Sequence, residues 1–260
     1  MRRLVVLAVG AGAAAAAAGM AVGATRSRGA PGTGWLARLF FAANGLPSGL
    51  LGWLSARNMA YEHRPVYATM AGELDLRPDD DLLDVGCGSA GLLQRHAAHV
   101  RHVAGLDLSD IQVGLARRRL ADRIAAGTAE IVLGDATALP WADGRFSVVT
   151  ACYCLEFVPD PLKALSGMQR VLRPGGRAVL SLGLPTRDAS LSGTKNAWGF
   201  PRWSGADARR LMEEAGFGEV SVSPPPSTYF LAQLVRGVKP ASPAVAGAAE
   251  TPAPAQEALT

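Results

Sequence analysis

The chain has 260 residues, 49% of them apolar and 18% charged, which supplies a real core and excludes general disorder. The formal net charge of +4 is uneven: six arginines and no carboxylate precede Glu62, leaving 20 basic against 22 acidic side chains beyond it. A basic excess confined to the N-terminal segment argues against nucleic acid as a partner and toward an anionic membrane surface.

In chain order, Leu4–Thr25 is 22 residues without a charge, preceded by Met1-Arg2-Arg3. Residues 1–30 are read as a hydrophobic leader: a membrane anchor, a cleavable signal peptide or a low-complexity segment. Trp35–Leu54 is a second apolar stretch, broken at Gly45, Pro47 and Gly49. Pro47 argues against one continuous helix. Residues 31–73 therefore read as an amphipathic N-terminal cap, lying on a membrane, over the entrance of the following domain, or as a helix pair on its core.

From Asp81 the pattern changes to short β-branched runs alternating with amphipathic ones. Strands are expected at 82–86, 102–108, 130–133, 146–153 and 177–182, and helices near 90–99, 110–125, 160–172 and 205–215. Such alternation predicts an α/β fold, a parallel sheet with helices on both faces, over residues 74–236. Pro224-Pro225-Pro226 turns into a last strand, Thr228–Val235, and residues 237–260, rich in Ala and Pro, read as a disordered tail.

The sharpest chemical signal is Leu82-Leu83-Asp84-Val85-Gly86-Cys87-Gly88-Ser89-Ala90-Gly91, a strand ending in a glycine turn before a helix. Glycines let backbone approach a ligand closely, and a helix start offers free N–H groups. By itself Gly86-x-Gly88-x-x-Gly91 fits a dinucleotide as well, so an NAD-dependent oxidoreductase stays open at this point, as does a turn without a ligand. Asp84, two residues before the first glycine, favours a cationic ligand over a pyrophosphate. Asp107, 21 residues after Gly86, ends the second strand where ribose hydroxyls would be held. Leu108 beside it offers an adenine face, and Asp135-Ala136 follow the third strand.

With those pieces assembled, the sequence resembles the class I S-adenosylmethionine (SAM)-dependent methyltransferases, and within them the type 11 subgroup of quinone and other small-molecule methyltransferases. The matching segments are LLDVGCGSAGLL (82–93), GLDLS (105–109), GDATALPWADGRFSVV (134–149), LEFVPDP (155–161) and MQRVLRPGG (168–176). The resemblance implies a Rossmann-like seven-stranded, mostly parallel sheet with SAM at the carboxyl ends of its strands. It implies that Asp84, Gly86, Cys87 and Gly88 line the methionine end of SAM, that Asp107 and Leu108 hold ribose and adenine, that Asp135 and Ala136 form the adenine rim, and that backbone at Cys152 meets the cofactor.

Three departures from the family pattern stand out. Ala90 takes the place of a frequent glycine, tolerable where φ is negative. Ser147 replaces a usual aspartate, removing a structural hydrogen-bonding group. Glu156-Phe157 replaces a frequent His-His pair, which leaves Glu156 as the candidate for acceptor contact or general base, against a solvated loop carboxylate. Tyr61, His63 and Tyr67 are candidates to cap SAM. Trp198, Phe200 and Trp203 are candidates, with Tyr61, for the acceptor pocket, against ordinary core packing. His96, His99 and His102 read as solvated or helix-end residues rather than metal ligands, and Cys87, Cys152 and Cys154 form no metal or disulfide set.

Together these readings imply transfer of a methyl group from SAM to a small or lipid-like acceptor by in-line displacement. The rivals are the oxidoreductase and a SAM-binding, membrane-associated module without catalysis. Because SAM is a cytosolic compound, the leader is read as an anchor in preference to an export signal, with the domain on the cytoplasmic side.

Overall fold

The computed structural model of the chain describes residues 49–182, 203–224 and 232–241. The leader, and with it the anchor expectation, falls outside these residues, as do Trp198 and Phe200. No helix among the described residues is long and apolar enough to cross a membrane.

Among the described residues two helices come first, α1 (Gly49–Glu62) and α2 (Arg64–Leu74), separated by His63. Strands β1 (Asp81–Val85), β2 (His102–Asp107), β3 (Ala129–Leu133), β4 (Phe146–Cys152), β5 (Leu172–Leu182), β6 (Gly218–Val222) and β7 (Gln233–Val238) follow. Between them lie α3 (Gly91–His96), α4 (Asp110–Arg119), α5 (Ala121–Ala125), α6 (Pro161–Val171) and α7 (Gly205–Glu214). The seven strands form one sheet in the order β3-β2-β1-β4-β5-β7-β6, parallel except for β7, which runs against both neighbours. Strand order reverses between β1 and β4, so a crevice opens at their carboxyl ends, the usual ligand position in such sheets.

Successive side chains of a strand point to opposite faces, and both faces here are covered. Leu82 and Val148 therefore join one core with Val66, Met70 and Leu74 of α2 and Leu93 of α3. Their neighbours Leu83 and Val149 join the other, with Leu165 and Met168 of α6 and Met212 of α7. Local chemistry starts the helices where the sequence suggests. Asp160 accepts from the Lys163 N–H (3.0 Å) ahead of Pro161, and Ser204 with Asp207 forms a reciprocal capping box on α7.

The structure departs from the sequence reading in four places. The final strand is β7, which reaches Val238, beyond the expected Val235, while residues 228–231 lie outside the described residues; Lys239 continues the contact, its N–H donating to the Gly176 carbonyl and its ammonium to the carbonyls of Arg170 and Leu172. The folded domain thus passes 236 into the segment expected as tail. β6 has no counterpart among the pattern-derived strands, because only Val220 of its five residues is buried. β5 begins at Leu172, ahead of the expected Arg177, where Leu172 pairs with Phe146 across a register shift.

The fourth concerns Ser147. Its hydroxyl donates to Asp80 Oδ1 (2.6 Å) and accepts from the Asp81 N–H (3.0 Å), while Arg177 binds Asp80 Oδ2 at 2.7 Å and the Leu74 carbonyl at 2.6 Å. Asp81 in turn faces Arg101, Arg145 and Arg173. Hydrogen bonds and guanidinium groups hold both carboxyls below the usual range against the opposing effect of burial. Rather than a group lost, Ser147 is a full member of a buried network at the amino end of β1, far along the strand from the crevice.

Candidate active site

The turn after β1 is stitched to the end of β2. The N–H groups of Gly86 and Cys87 both donate to the Leu106 carbonyl, at 2.7 and 3.0 Å. Gly88 N–H donates to Asp107 Oδ2 (2.8 Å) and Ser109 N–H to Asp107 Oδ1 (2.9 Å). Gly86 has φ +71 and a Cβ there would collide with Cys154 Sγ, so glycine is required twice over. Ala90 corrects an expectation: its φ is +59, in the left-handed region, with the residue fully buried before α3. The turn demands this conformation and the chain accepts the strain in a non-glycine residue.

Asp84 lies one residue before the end of β1, 1% exposed, and its Oδ1 has no hydrogen-bond partner. Burial, then the nearby Asp107, push its pKa well above the usual carboxylate range. Asp107 is raised by burial, opposed by the backbone N–H groups it accepts. An ionised carboxylate offers about four lone-pair positions, so Asp107 keeps acceptor capacity beyond its backbone bonds. Leu108 is 58% exposed beside it, and Gly134 N–H donates to the Asp107 carbonyl, which brings Asp135 and Ala136 to the same edge. Asp135 accepts from Thr137 N–H (2.8 Å), which lowers its pKa.

At the end of β4, the Ser181 hydroxyl donates to Cys152 Sγ (3.3 Å) and accepts from the Tyr153 N–H (3.0 Å). Tyr153 has φ +51, a second strained residue at this edge. Glu156 follows, half-buried on a short 3-10 turn (Leu155–Phe157), close enough to Cys152 and Cys154 to help raise their pKa values. Burial dominates at all three thiols, including Cys87, and each is held as the neutral, unreactive form.

α1 and α2 roof the turn. Ser89 Oγ donates to the Ala56 carbonyl (3.3 Å), and a Cβ on Gly91 would meet Ala60 and the Tyr67 ring, each at 2.9 Å. Burial raises the Tyr67 pKa, with the Cys152 and Asp84 charges adding to the effect. His63 stands edge-on to Tyr153 at 4.9 Å between ring centres, and desolvation lowers its pKa to about 4.

The other expected residues fall as follows. Tyr61 is 65% exposed under the Arg64 guanidinium and turns away from the crevice, because His63 and Tyr67 occupy the inward positions of the roof. Trp203 is 7% exposed within the core shared by α6 and α7, the packing alternative. His96 is buried at the end of α3 rather than solvated. Sequence reasoning did not anticipate Tyr153, whose signal is backbone strain, or the roles of Ser181 and Ser89 as bracing hydroxyls.

The site fits a sulfonium nucleoside with an amino-acid tail. Asp84 Oδ1 is an acceptor in want of a donor that an ammonium group supplies; Asp107 has capacity for ribose hydroxyls, and Leu108 presents apolar surface to a base.

Comparison with known proteins agrees. Residues 83–180 match the family model described as a methyltransferase domain. Over 164 residues the chain is 36% identical to the ubiquinone/menaquinone biosynthesis C-methyltransferase UbiE of Vibrio campbellii, covering 62% of this chain and 59% of that one. Over residues 83–180 the chain thus resembles a methyltransferase domain in sequence, and its seven-stranded sheet has the fold of solved methyltransferases. The domain is also 34% identical over 184 residues to a 37.1 kDa protein of transposon Tn4556 from Streptomyces fradiae, covering 65% of this chain and 52% of the relative. The chain thus spans a little over half the length of the curated relatives it matches first. In fold it resembles a putative methyltransferase from Bacillus halodurans (TM-score 0.54, 21% identity, 67% of this chain and 98% of that one). It likewise resembles a Haemonchus contortus phosphoethanolamine N-methyltransferase solved with S-adenosylhomocysteine (TM-score 0.60, 15% identity, 78% and 60% coverage).

Proposed function

We propose that the protein transfers a methyl group from SAM to a small, partly apolar acceptor. The observation that carries this reading is the buried Asp84 oxygen without a partner, beside a glycine turn fastened to Asp107. When bound, SAM supplies a methyl group on a sulfonium, open to in-line displacement by an acceptor nucleophile. The chain's own residues do the rest. Asp84 and Asp107 bind and orient, Tyr67 and His63 exclude water from above, and the neutral thiols of Cys152 and Cys154 wall the crevice without competing as nucleophiles.

Glu156, at the mouth, is the residue we assign to meet the acceptor and to take a proton where the acceptor gives one up. A neutral imidazole at His63 and apolar surface at Phe157 favour an uncharged, ring-containing acceptor. Two relatives support that class by name, UbiE and the sterol 4-C-methyltransferase of Caenorhabditis elegans, the latter 26% identical over 125 residues.

We further propose that the acceptor is met at a membrane surface. The outer side of α1 and the start of α2 exposes Leu54, Arg57, Tyr61 and Arg64, two apolar and two cationic side chains on the roof of the site. Mass spectrometry after incubation with SAM and a panel of quinols, phenols and sterols tests the reaction. The expected product carries one added methyl group and forms with wild-type protein but not with Asp84→Asn. Intact acceptors across the panel, with SAM bound, would instead leave a cofactor-binding module.

A further inference from the structure

The chain leaves β4 through a strained residue. Tyr153, directly after Cys152, has φ +51, a left-handed conformation that a side chain disfavours and that persists only where the surroundings fix it. Here β5 fixes it. The Tyr153 N–H donates to Ser181 Oγ at 3.0 Å and, less closely, to the Ser181 carbonyl at 3.3 Å. The same hydroxyl donates to Cys152 Sγ (3.3 Å), so one side chain, 2% exposed, holds both residues of the peptide.

Covalent geometry then sets the direction of the carbonyl. The Cys152–Tyr153 peptide is trans and planar, so its N–H and C=O point opposite ways. β4 lies between β1 and β5 in the sheet. With the N–H drawn to β5, the Cys152 carbonyl is aimed toward the β1 side. Pairing with β1 has already stopped there, at Thr150 opposite Asp84. Two residues on, Cys152 is abreast of the glycine turn, and Cys154 shows how near that turn is, its Sγ crowding the place of a Gly86 Cβ. The carbonyl therefore faces the crevice whose β1 wall carries Asp84, with its partnerless buried oxygen.

We propose, on the reading of this crevice as a SAM site, that Ser181 is a positioning residue for the cofactor. By holding the strained peptide in place, its hydroxyl keeps the Cys152 carbonyl turned toward the ammonium group that Asp84 also receives. An ammonium carries three N–H donors and needs several acceptors at once. A carboxylate from β1 and a carbonyl from β4 supply two of them from facing walls. The aim of the second depends on a hydroxyl from β5, acting through the peptide it holds rather than on the ligand.

Calorimetry of full-length wild type, Ser181→Ala and Ser181→Thr with two ligands separates positioning from folding. S-adenosylhomocysteine carries the ammonium; methylthioadenosine keeps the nucleoside and thioether and lacks the amino-acid tail. Ser181→Ala is expected to bind S-adenosylhomocysteine at least about tenfold more weakly, a difference of about 1.4 kcal/mol, with methylthioadenosine affinity within about twofold of wild type. Ser181→Thr, which keeps the hydroxyl, is expected to hold S-adenosylhomocysteine within about threefold of wild type. Hydrogen exchange at the Tyr153 amide is expected to be faster in Ser181→Ala alone. Equal weakening for both ligands would reduce the hydroxyl to a support of the fold and overturn the proposal. Unchanged S-adenosylhomocysteine affinity in Ser181→Ala, or a threonine variant as weak as the alanine one, would overturn it too. Wild type that binds neither ligand would instead overturn the cofactor reading, and the proposal with it.

Discussion

At the scale of single residues, the site rests on groups held in unfavourable states. Asp84 is a buried carboxyl whose pKa is raised, so in the empty protein its contribution to stability is fully present below the unfolded carboxylate pKa and is lost as pH rises through the raised value. A cationic ligand needs the ionised form, and affinity for SAM is expected to rise with pH over that same window. Asp84→Asn keeps the shape and removes the charge; it is expected to flatten the pH dependence of binding measured by calorimetry and to leave Tm equal or higher. A lower Tm in Asp84→Asn would mean that the carboxyl is structural. Ser147 makes the opposite case. Removing its hydroxyl in Ser147→Ala orphans a buried Asp81 N–H and is expected to cost about 1–3 kcal/mol in denaturant unfolding, with SAM affinity unchanged.

At the scale of elements, the roof of α1 and α2 is attached through tight contacts that can be tested singly. Gly91→Ala puts a methyl group 2.9 Å from both Ala60 and Tyr67, and the expected effect is a loss of about 1–3 kcal/mol with earlier proteolysis inside residues 49–74. His63 packs against Tyr153 with its pKa lowered to about 4 from 6.5. Its contribution to stability is therefore present above pH 6.5 and lost as pH falls toward 4. His63→Phe, which keeps a ring and removes the titration, is expected to show a shallower loss of stability across that range than wild type. Equal slopes would show that the roof is insensitive to this imidazole.

At the scale of the whole molecule, the sheet was legible because both faces are covered, so its central strands read as continuous apolar runs. β1 is buried at all five positions and stands out in the sequence; β6, at the sheet edge with one buried residue, does not. The end of β7 was hidden for a related reason: Gly237 and Lys239 look like tail composition, and only their partners on β5 and α6 show that they are folded. In the site, Asp84, Gly86, Gly88 and Asp107 were legible since their chemistry is local to a strand and its turn. Ala90 was not, because its φ is imposed by the turn rather than by alanine's own preference. Nor was the division of labour in the roof, where helix phase sends Tyr67 inward and Tyr61 outward.

Binding of a cationic nucleoside by this chain turns on two carboxylates, Asp84 and Asp107. Calorimetric titration of full-length protein with S-adenosylmethionine at neutral pH, beside Asp84→Asn and Asp107→Asn, measures that directly. The expected outcome is one-site binding by wild type, weakened at least about tenfold in each variant, or about 1.4 kcal/mol. Equal affinities in all three proteins, or heat with NADH in place of the sulfur nucleoside, would contradict it.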